Sequence, residues 1–306
     1  MDAFPLAKYI TKRLLWFVPV MIGVVVVVYT ISFHMPGRPM VPMRRAAALG
    51  MDRPFIIQLG TYLWRLVTKL DLGASLLTNI PITEELARRL PITFRLSFVS
   101  ILLMLAVGLP CGILSAIRQN SAADIVFTSM SLCMASLPNY VVALLGALLF
   151  GVILRWLPVT GLESWQSWIL PVFCSAANGI ATYVRMTRMA MLEVIRQDYI
   201  RTARAKGMRE SDIVRRHALR NCIIPLVTVI GLYASTVLAG SIIVEAIFNI
   251  QGIGLYLMDA ILSRDYPVVN AVVVTMSLMV CLINLLVDIA YALIDPRIKT
   301  AFVGKG

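Results

Sequence analysis

The sequence predicts an all-α integral membrane protein with six transmembrane helices, both termini cytoplasmic, one short cytoplasmic helix and one external amphipathic helix. Three observations carry this prediction. Apolar residues make up 59% of the chain and charged residues 14%, against roughly 45–50% and about 25% in ordinary soluble domains. Apolar stretches of roughly 20 residues, the length that crosses a bilayer, recur along the chain. The Lys and Arg residues are shared unevenly among the segments between those stretches, and short basic loops stay in the cytoplasm.

Met1 to Arg13 is short and basic (Lys8, Lys12, Arg13), and Leu14 to Phe33 follows without a charge. That run exceeds the ~7–15-residue apolar core of a cleaved signal peptide. It closes on His34-Met35-Pro36-Gly37 and not on a small-residue cleavage site, so it reads as an uncleaved first span. Residues 35–91 form a polar segment on the external side. Within it Asp52-Arg53-Pro54 has the form of an N-cap followed by proline in the first helical turn. Phe55, Leu59, Tyr62, Leu63, Leu66, Val67 and Leu70 then recur at helical spacing, which predicts an amphipathic helix lying on the protein or the membrane surface. Asp71-Leu72-Gly73 ends it. A second short helix is expected from Thr83, with Glu84 and Glu85 facing its N-terminal dipole, and is expected to stop before Pro91.

Thr93 to Ile117 is the second span, with Arg95 near its outer end, where a long side chain can snorkel. Arg118 to Asp124 turns inside. Ile125 to Leu154 is the third span and carries Pro138, which predicts a kink. Arg155 to Trp168 is external, and its Trp156, Trp165 and Trp168 suit an interfacial aromatic belt. Ile169 to Tyr183 opens the fourth span, which runs into a long basic loop. Cys222 to Val244 is the fifth span, Glu245 to Pro267 lies outside, and Val268 to Val287 is the sixth, ending near Asp288. Asp295-Pro296-Arg297 terminates that helix inside. Three segments result: residues 1–34, the tail and first span; residues 35–91, extracytoplasmic; and residues 92–306, a five-helix core.

Several functions are excluded or disfavoured by composition. The net charge of +12 is accounted for by the cytoplasmic bias of Lys and Arg, so no nucleic-acid partner is expected; membrane lipid is the expected surroundings. The five cysteines lie in or beside apolar runs without C-x-x-C spacing and read as small apolar residues. His34 and His217 are the two histidines, which excludes a multi-histidine metal site. There is no H-E-x-x-H, G-x-S-x-G or G-x-x-x-x-G-K-[ST], so neither an intramembrane enzyme nor a phosphate-binding loop is indicated.

The basic loop, residues 185–221, holds ten of the 28 Lys and Arg. Its pattern is helical. Asp198 is placed to cap a short helix from Tyr199 to Lys206, and Gly207 to end it, since glycine takes the left-handed conformation without steric cost. Glu210-Ser211-Asp212 supplies a new helix start. A short transverse helix on two stalks, exposed below the bilayer, is a peg for a partner's groove.

Tyr199-Ile200-Arg201-Thr202-Ala203-Arg204-Ala205-Lys206-Gly207, then His217-Ala218-Leu219-Arg220-Asn221 and Pro225, resemble the coupling loop of bacterial ABC-importer permeases. The likeness is to the B-type chain of the dipeptide/oligopeptide/nickel group and extends over nearly the whole sequence. Arg264-Asp265-Tyr266-Pro267, Asn284-Leu285, Asp288, Tyr291 and Asp295-Pro296-Arg297-Ile298 also match. The family's loop signature begins Glu-Ala-Ala; here Arg201-Thr202-Ala203 stands in its place. Pro36-Gly37-Arg38-Pro39 and Gln251-Gly252-Ile253-Gly254 depart from the family's usual Pro-Gly-Asp-Pro and Pro-Gly-x-Gly. The resemblance implies a permease of the cytoplasmic (inner) membrane, paired with a homologous C-type permease. It also implies two ATP-binding subunits, which hold the ATP and magnesium, and an extracytoplasmic solute-binding protein. No cofactor is implied in this chain. The implied substrates are short peptides, with glutathione, nickel chelates and other small solutes as alternatives.

On that reading Arg201, Thr202, Ala203, Arg204, Ala205, Lys206 and Gly207 meet the ATPase; the plainer alternatives are topogenic charge and an ordinary helix cap. Glu245, directly after the fifth span, is a candidate for the substrate path or a salt-bridge partner. Asn139 beside Pro138 is a second path candidate, which helix packing explains equally well. Asp288 suits a structural ion pair. An autonomous ion-coupled transporter remains the rival class; it would want paired ionisable residues at mid-membrane, whereas Glu245 and Asp288 lie at opposite span ends.

Overall fold

The computed structural model describes residues 4–35 and 53–294, all of whose regular elements are helical. In chain order the helices of eight residues or more are α1 (Phe4–His34), α2 (Phe55–Lys69), α3 (Ile82–Ile117), α4 (Ala122–Ser136), α5 (Asn139–Gly146, continued by a π turn, Ala147–Ile153), α6 (Ile169–Ile195), α7 (Asp198–Ala205), α8 (Leu219–Ile247, preceded by a short turn, Glu210–Asp212, and a π turn, Ile213–Ala218), α9 (Ile253–Leu262) and α10 (Tyr266–Ile294). Helices α1, α3, α6, α8 and α10 are long and apolar enough to cross a membrane, and α4 with α5 makes a sixth span if the bent pair crosses as one. The expected Asp52 cap and the motifs at 36–39 and 295–298 fall outside the described residues.

Helix α6 is the centre of the bundle, with 72% of its apolar window buried against 6% for α1. Its most extensive neighbour is α3. Gly108 and Gly112 form a small-x-x-x-small face there, which lets two backbones approach closely. A Cβ at Gly112 would stand 2.8 Å from the Val184 carbonyl and 2.5 Å from Thr187 Cβ. Met104 on α3, Ile180, Tyr183, Val184 and Met191 on α6, and Cys222, Leu226 and Val229 on α8 fill the core between these three helices.

Two local expectations are corrected. Helix α3 runs unbroken through Pro91 and Pro110, whereas a short helix stopping before Pro91 was expected. The tertiary packing outweighs the missing N–H: Ile82 and Leu86, upstream of the proline, are buried against Ile253 and Leu257 of α9 and Val268 and Val272 of α10. The third span bends far more than a proline kink, by 100° between α4 and α5. Leu137 is extended (φ −94°, ψ 127°) and Pro138 follows at ψ 144°, so the helical ladder is fully interrupted and α5 restarts at Asn139.

The amphipathic helix is present as α2. Phe55 and Tyr62 pack against Tyr29 of α1 with tilted rings, centroids 6.3 and 5.3 Å away, and the Tyr29 hydroxyl donates to Gln58 Oε1 at 3.2 Å. Helix α9 was not anticipated within the segment 245–267. The two ends of the chain's helical body meet where Arg13 of α1 pairs with Asp288 of α10 at 3.1 Å.

Candidate functional site

The basic loop folds as a short helix held on two stalks. Asp198 begins α7 and Gln197 occupies the N-cap without a side-chain bond, so the cap expected at Asp198 is displaced by one residue. Asp198 then acts through its charge in the first turn. The C-terminal end is a Schellman motif: the Met208 N–H reaches the Ala203 carbonyl at 3.3 Å and the Gly207 N–H the Arg204 carbonyl at 2.9 Å. Gly207 has φ +75°, and nothing lies within 4 Å of where its Cβ would be. Its requirement is therefore conformational and not steric.

One face of α7 is anchored. Ile200 and Ala203 are buried against Ile213, with Met208 packed beside them. Arg201, Thr202, Arg204, Ala205, Lys206 and Gly207 are exposed. Arg204 bonds Glu210 at 2.5 Å, which bridges the turn and raises the guanidinium above its ordinary value. Asn221 Nδ2 donates to the Tyr199 hydroxyl at 3.0 Å and to the His217 carbonyl at 2.9 Å, tying the start of α7 to the return stalk. The first stalk is tied in turn to the bundle. Arg188 donates to both oxygens of buried Asp124 at 2.7 and 2.8 Å, and Asp124 also accepts from the Ser115 hydroxyl and from the Asn120 N–H at 2.9 Å.

A cavity of about 340 Å³ opens between α5, α6 and α8, lined by Asn139, Ser175, Asn178, Gly179, Tyr233 and Val244, among others. Asn139 therefore lies on it. Tyr233 packs over Gly179 and donates to the Ser175 carbonyl at 2.6 Å. Glu245 is not among the lining residues. It is fully buried, and its carboxylate accepts from the Thr93 hydroxyl at 2.7 Å and from the Gly254 and Leu255 N–H groups at 2.7 and 3.0 Å. That places it on the N-terminus of α9, where orphan N–H groups and the helix dipole favour a carboxylate. Asp265, from the Arg264-Asp265-Tyr266-Pro267 motif, holds the segment before α3 in the same way, through Ser75 Oγ at 2.6 Å and the Leu76 N–H at 3.1 Å.

Sequence reasoning did not single out Ser175, Asn178, the Arg188–Asp124 pair or the Tyr199–Asn221 tie. The first two carried a signal: polar residues three apart on one face of an apolar span. The long-range pairs carried none.

Comparison with known proteins agrees with this architecture. The family model for the binding-protein-dependent transport system inner membrane component matches residues 108–300. A glutathione transport system permease protein of Pectobacterium atrosepticum is 39% identical, with 95% of this chain and 99% of that protein covered. A Brucella abortus protein named as a peptide transport system permease is 37% identical, with 95% and 98% covered. A chain from an inward-facing structure of the MetNI methionine ABC transporter superposes with a TM-score of 0.62 at 21% identity, covering 70% of this chain and 97% of its own, a likeness of fold. Permeases of this kind are non-catalytic subunits that work with ATPase subunits and a binding protein. The chain belongs to the binding-protein-dependent transport system inner membrane components, the multi-pass inner-membrane permeases of bacterial ABC importers, and falls with the relatives named for peptide and glutathione transport.

Proposed function

We propose that this chain forms half of the translocation path for short peptides, glutathione among them, and couples that path to ATP hydrolysis in its partners. Nickel chelates and other small solutes are the alternative cargo. Both termini and the basic loop face the cytoplasm. A C-type permease completes the path, two ATP-binding subunits carrying ATP and magnesium dock below, and an extracytoplasmic binding protein delivers substrate above.

One observation supports the coupling role most directly: α7 is buried on one face and exposed on the other, within a chain of this family. Ile200 and Ala203 fix the helix to Ile213, and the residues from Arg201 to Gly207, Ala203 excepted, are left for a partner. Motion imposed on α7 passes through Tyr199–Asn221 to α8 and through Arg188–Asp124 to α4. For the path, the support is Asn139 on the cavity wall. Glu245, bonded on the N-terminus of α9, is assigned to holding the external segment around the path's outer end.

Purification from native membranes in mild detergent, with mass spectrometry of the associated chains, tests the reading. The expected result is a second permease of the same family with one or two Walker-A proteins, lost on Gly207→Glu. Recovery of this chain alone, under conditions that keep a known membrane complex intact, refutes it, as does transport that persists without ATP.

A further inference from the structure

Helix α2 has three faces. Phe55, Gln58, Leu59, Tyr62, Leu63 and Leu66 recur at helical spacing, are half-buried, and include the residues that touch α1. Beside them Ile56, Trp64 and Val67 are 79, 68 and 71% exposed, and Leu70 at the C-cap is 77% exposed. At 3.6 residues per turn Ile56, Gly60, Trp64 and Val67 fall within about a quarter of the circumference. Thr61, Arg65 and Thr68 make the third face. Both hydroxyls there are already bonded, to the Ile57 and Trp64 carbonyls at 2.7 and 2.6 Å. The apolar side of α2 is thus wider than α1 covers.

Both ends of α2 are held at one side of the bundle. Phe55 lies edge-on to Phe33, with centroids 5.1 Å apart, and 6.0 Å from His34, in the last turn of α1. Beyond the other end, Ser75 and Leu76 are bonded to Asp265, the residue before α10. Helix α1 ends where α10 begins, since Ser32 donates to Asn270 Oδ1 at 2.7 Å. The 15 residues of α2 span about 22 Å, short of the ~30 Å of a hydrocarbon core, so the helix runs along the membrane boundary and not through it. Phe33, 43% exposed within the α1 span, continues the apolar surface from α1 onto α2. The charges between residues 53 and 70 are Arg53, Arg65 and Lys69, with no acidic residue among them. None of the three is in an ion pair among the described residues. Asp71, next in the chain, accepts from the Gly73 N–H at 2.8 Å.

We propose that α2 is an in-plane membrane anchor. Ile56, Trp64 and Val67 enter the headgroup–acyl boundary of the leaflet at the His34 end of α1, and Arg65 and Lys69 meet the phosphates of anionic phospholipids. A contiguous exposed apolar face marks an interaction surface, and an apolar face bordered by cations beside a span fits the lipid boundary. Tryptophan suits that depth, because its ring is apolar and its N–H polar. The stems of Arg65 and Lys69 can lie along apolar surface while their heads reach the phosphates. The assignment rests on α1 crossing the membrane and not on the cargo proposed above.

The test uses the complex as purified from native membranes, in proteoliposomes of phosphatidylethanolamine with phosphatidylglycerol as the minor lipid. A benzophenone side chain is placed at Val67, Trp64 or Thr61 in turn, all three exposed, and the photo-adducts are identified by mass. Phospholipid adducts are expected at Val67 and Trp64 with a yield on the order of tenfold that at Thr61, as for the apolar and polar sides of an interfacial helix. Phosphatidylglycerol should be over-represented among them by about fivefold relative to its bulk share, the effect of one cation at an anionic surface. Arg65→Gln/Lys69→Gln should return it to the bulk share. Adducts at Val67 and Trp64 with a second permease, the binding protein or another copy of this chain in place of lipid overturn the assignment. So does equal lipid labelling at all three positions, or labelling at none. Lipid adducts without phosphatidylglycerol enrichment, or an enrichment that survives in the double variant, overturn the anionic part.

Discussion

Glu245 offers the sharpest test of how this chain is built. Two substitutions separate a carboxylate that holds a helix from one that meets substrate. Glu245→Ala removes the acceptor of three buried donors: the Thr93 hydroxyl and the N–H groups of Gly254 and Leu255. The hydroxyl can rotate toward another acceptor; the two N–H groups cannot. At about 1–3 kcal/mol for each buried donor left unpaired, the loss is roughly 2–6 kcal/mol, a large share of the ~5–15 kcal/mol that holds a typical domain. Glu245→Gln behaves differently. Its oxygen can take both N–H groups while its amide nitrogen donates to Thr93 Oγ1, which already accepts from the Ile253 N–H at 3.0 Å and retains a second lone pair. Both backbone N–H groups keep their acceptor and the Thr93 bond is reversed; the second amide hydrogen is the one donor added, at a cost of about 1–3 kcal/mol, half that of alanine.

The assay reads two quantities on the assembled importer: thermal unfolding in detergent and ATP-dependent uptake of trialanine. Glu245→Gln should melt close to the wild type and keep at least half of its uptake. Glu245→Ala should lose folded protein from the membrane. The reasoning fails if Glu245→Gln assembles and melts like the wild type yet transports nothing, because that outcome requires the negative charge itself on the path.

Three further outcomes are expected. Gly112→Leu should block accumulation of folded protein, since any Cβ there meets the Val184 carbonyl and Thr187, whereas Gly60→Ala on α2, with nothing within 4 Å, should be neutral or stabilising by a few tenths of a kcal/mol to about 1 kcal/mol; membrane abundance distinguishes the two. Gly207→Val should uncouple more than Gly207→Asn, because asparagine tolerates φ > 0 far better than a β-branched residue; the readout is ATP hydrolysed per peptide imported. Arg188→Gln should cost about 3–5 kcal/mol by stranding the buried Asp124 carboxylate, and the double variant Asp124→Asn/Arg188→Gln should recover part of that loss in thermal unfolding.

The parts of this fold that depend on local pattern were legible in the sequence. The apolar runs become α1, α3, α6, α8 and α10, because a bilayer-length stretch must satisfy its backbone as a helix whatever surrounds it. The α2 helix and the Gly207 terminator follow from periodicity and from the left-handed preference of one residue. What was not legible depends on contacts across the chain. Pro91 ends a helix in isolation; here it does not, because Ile82 and Leu86 are held by α9 and α10. Pro138 signals a kink, but the bend is 100°, with the freed Leu137 carbonyl accepting from Asn178 of α6 at 3.4 Å, a contact 41 residues away that no local pattern shows. Glu245 at a span end reads as a substrate-path candidate or a salt-bridge partner; its three donors come from residues 93, 254 and 255, and no local rule reveals that they converge.

The same division explains why the short helix α7, proposed above for coupling, was easier to read than the cavity proposed for the path. Helix α7 is a self-contained element: its cap, its anchor residues Ile200 and Ala203, and its bridge from Arg204 to Glu210 all lie within the 14 residues from Gln197 to Glu210. A cavity between helices has no such local sentence. Asn139, Ser175 and Tyr233 are spread over nearly a hundred residues and line one cavity, and Gly179 lets the Tyr233 ring settle onto α6. A side chain larger than glycine at 179 would push that ring outward and carry with it the bond to the Ser175 carbonyl, so the shape of the cavity rests on a residue that shows no chemistry of its own.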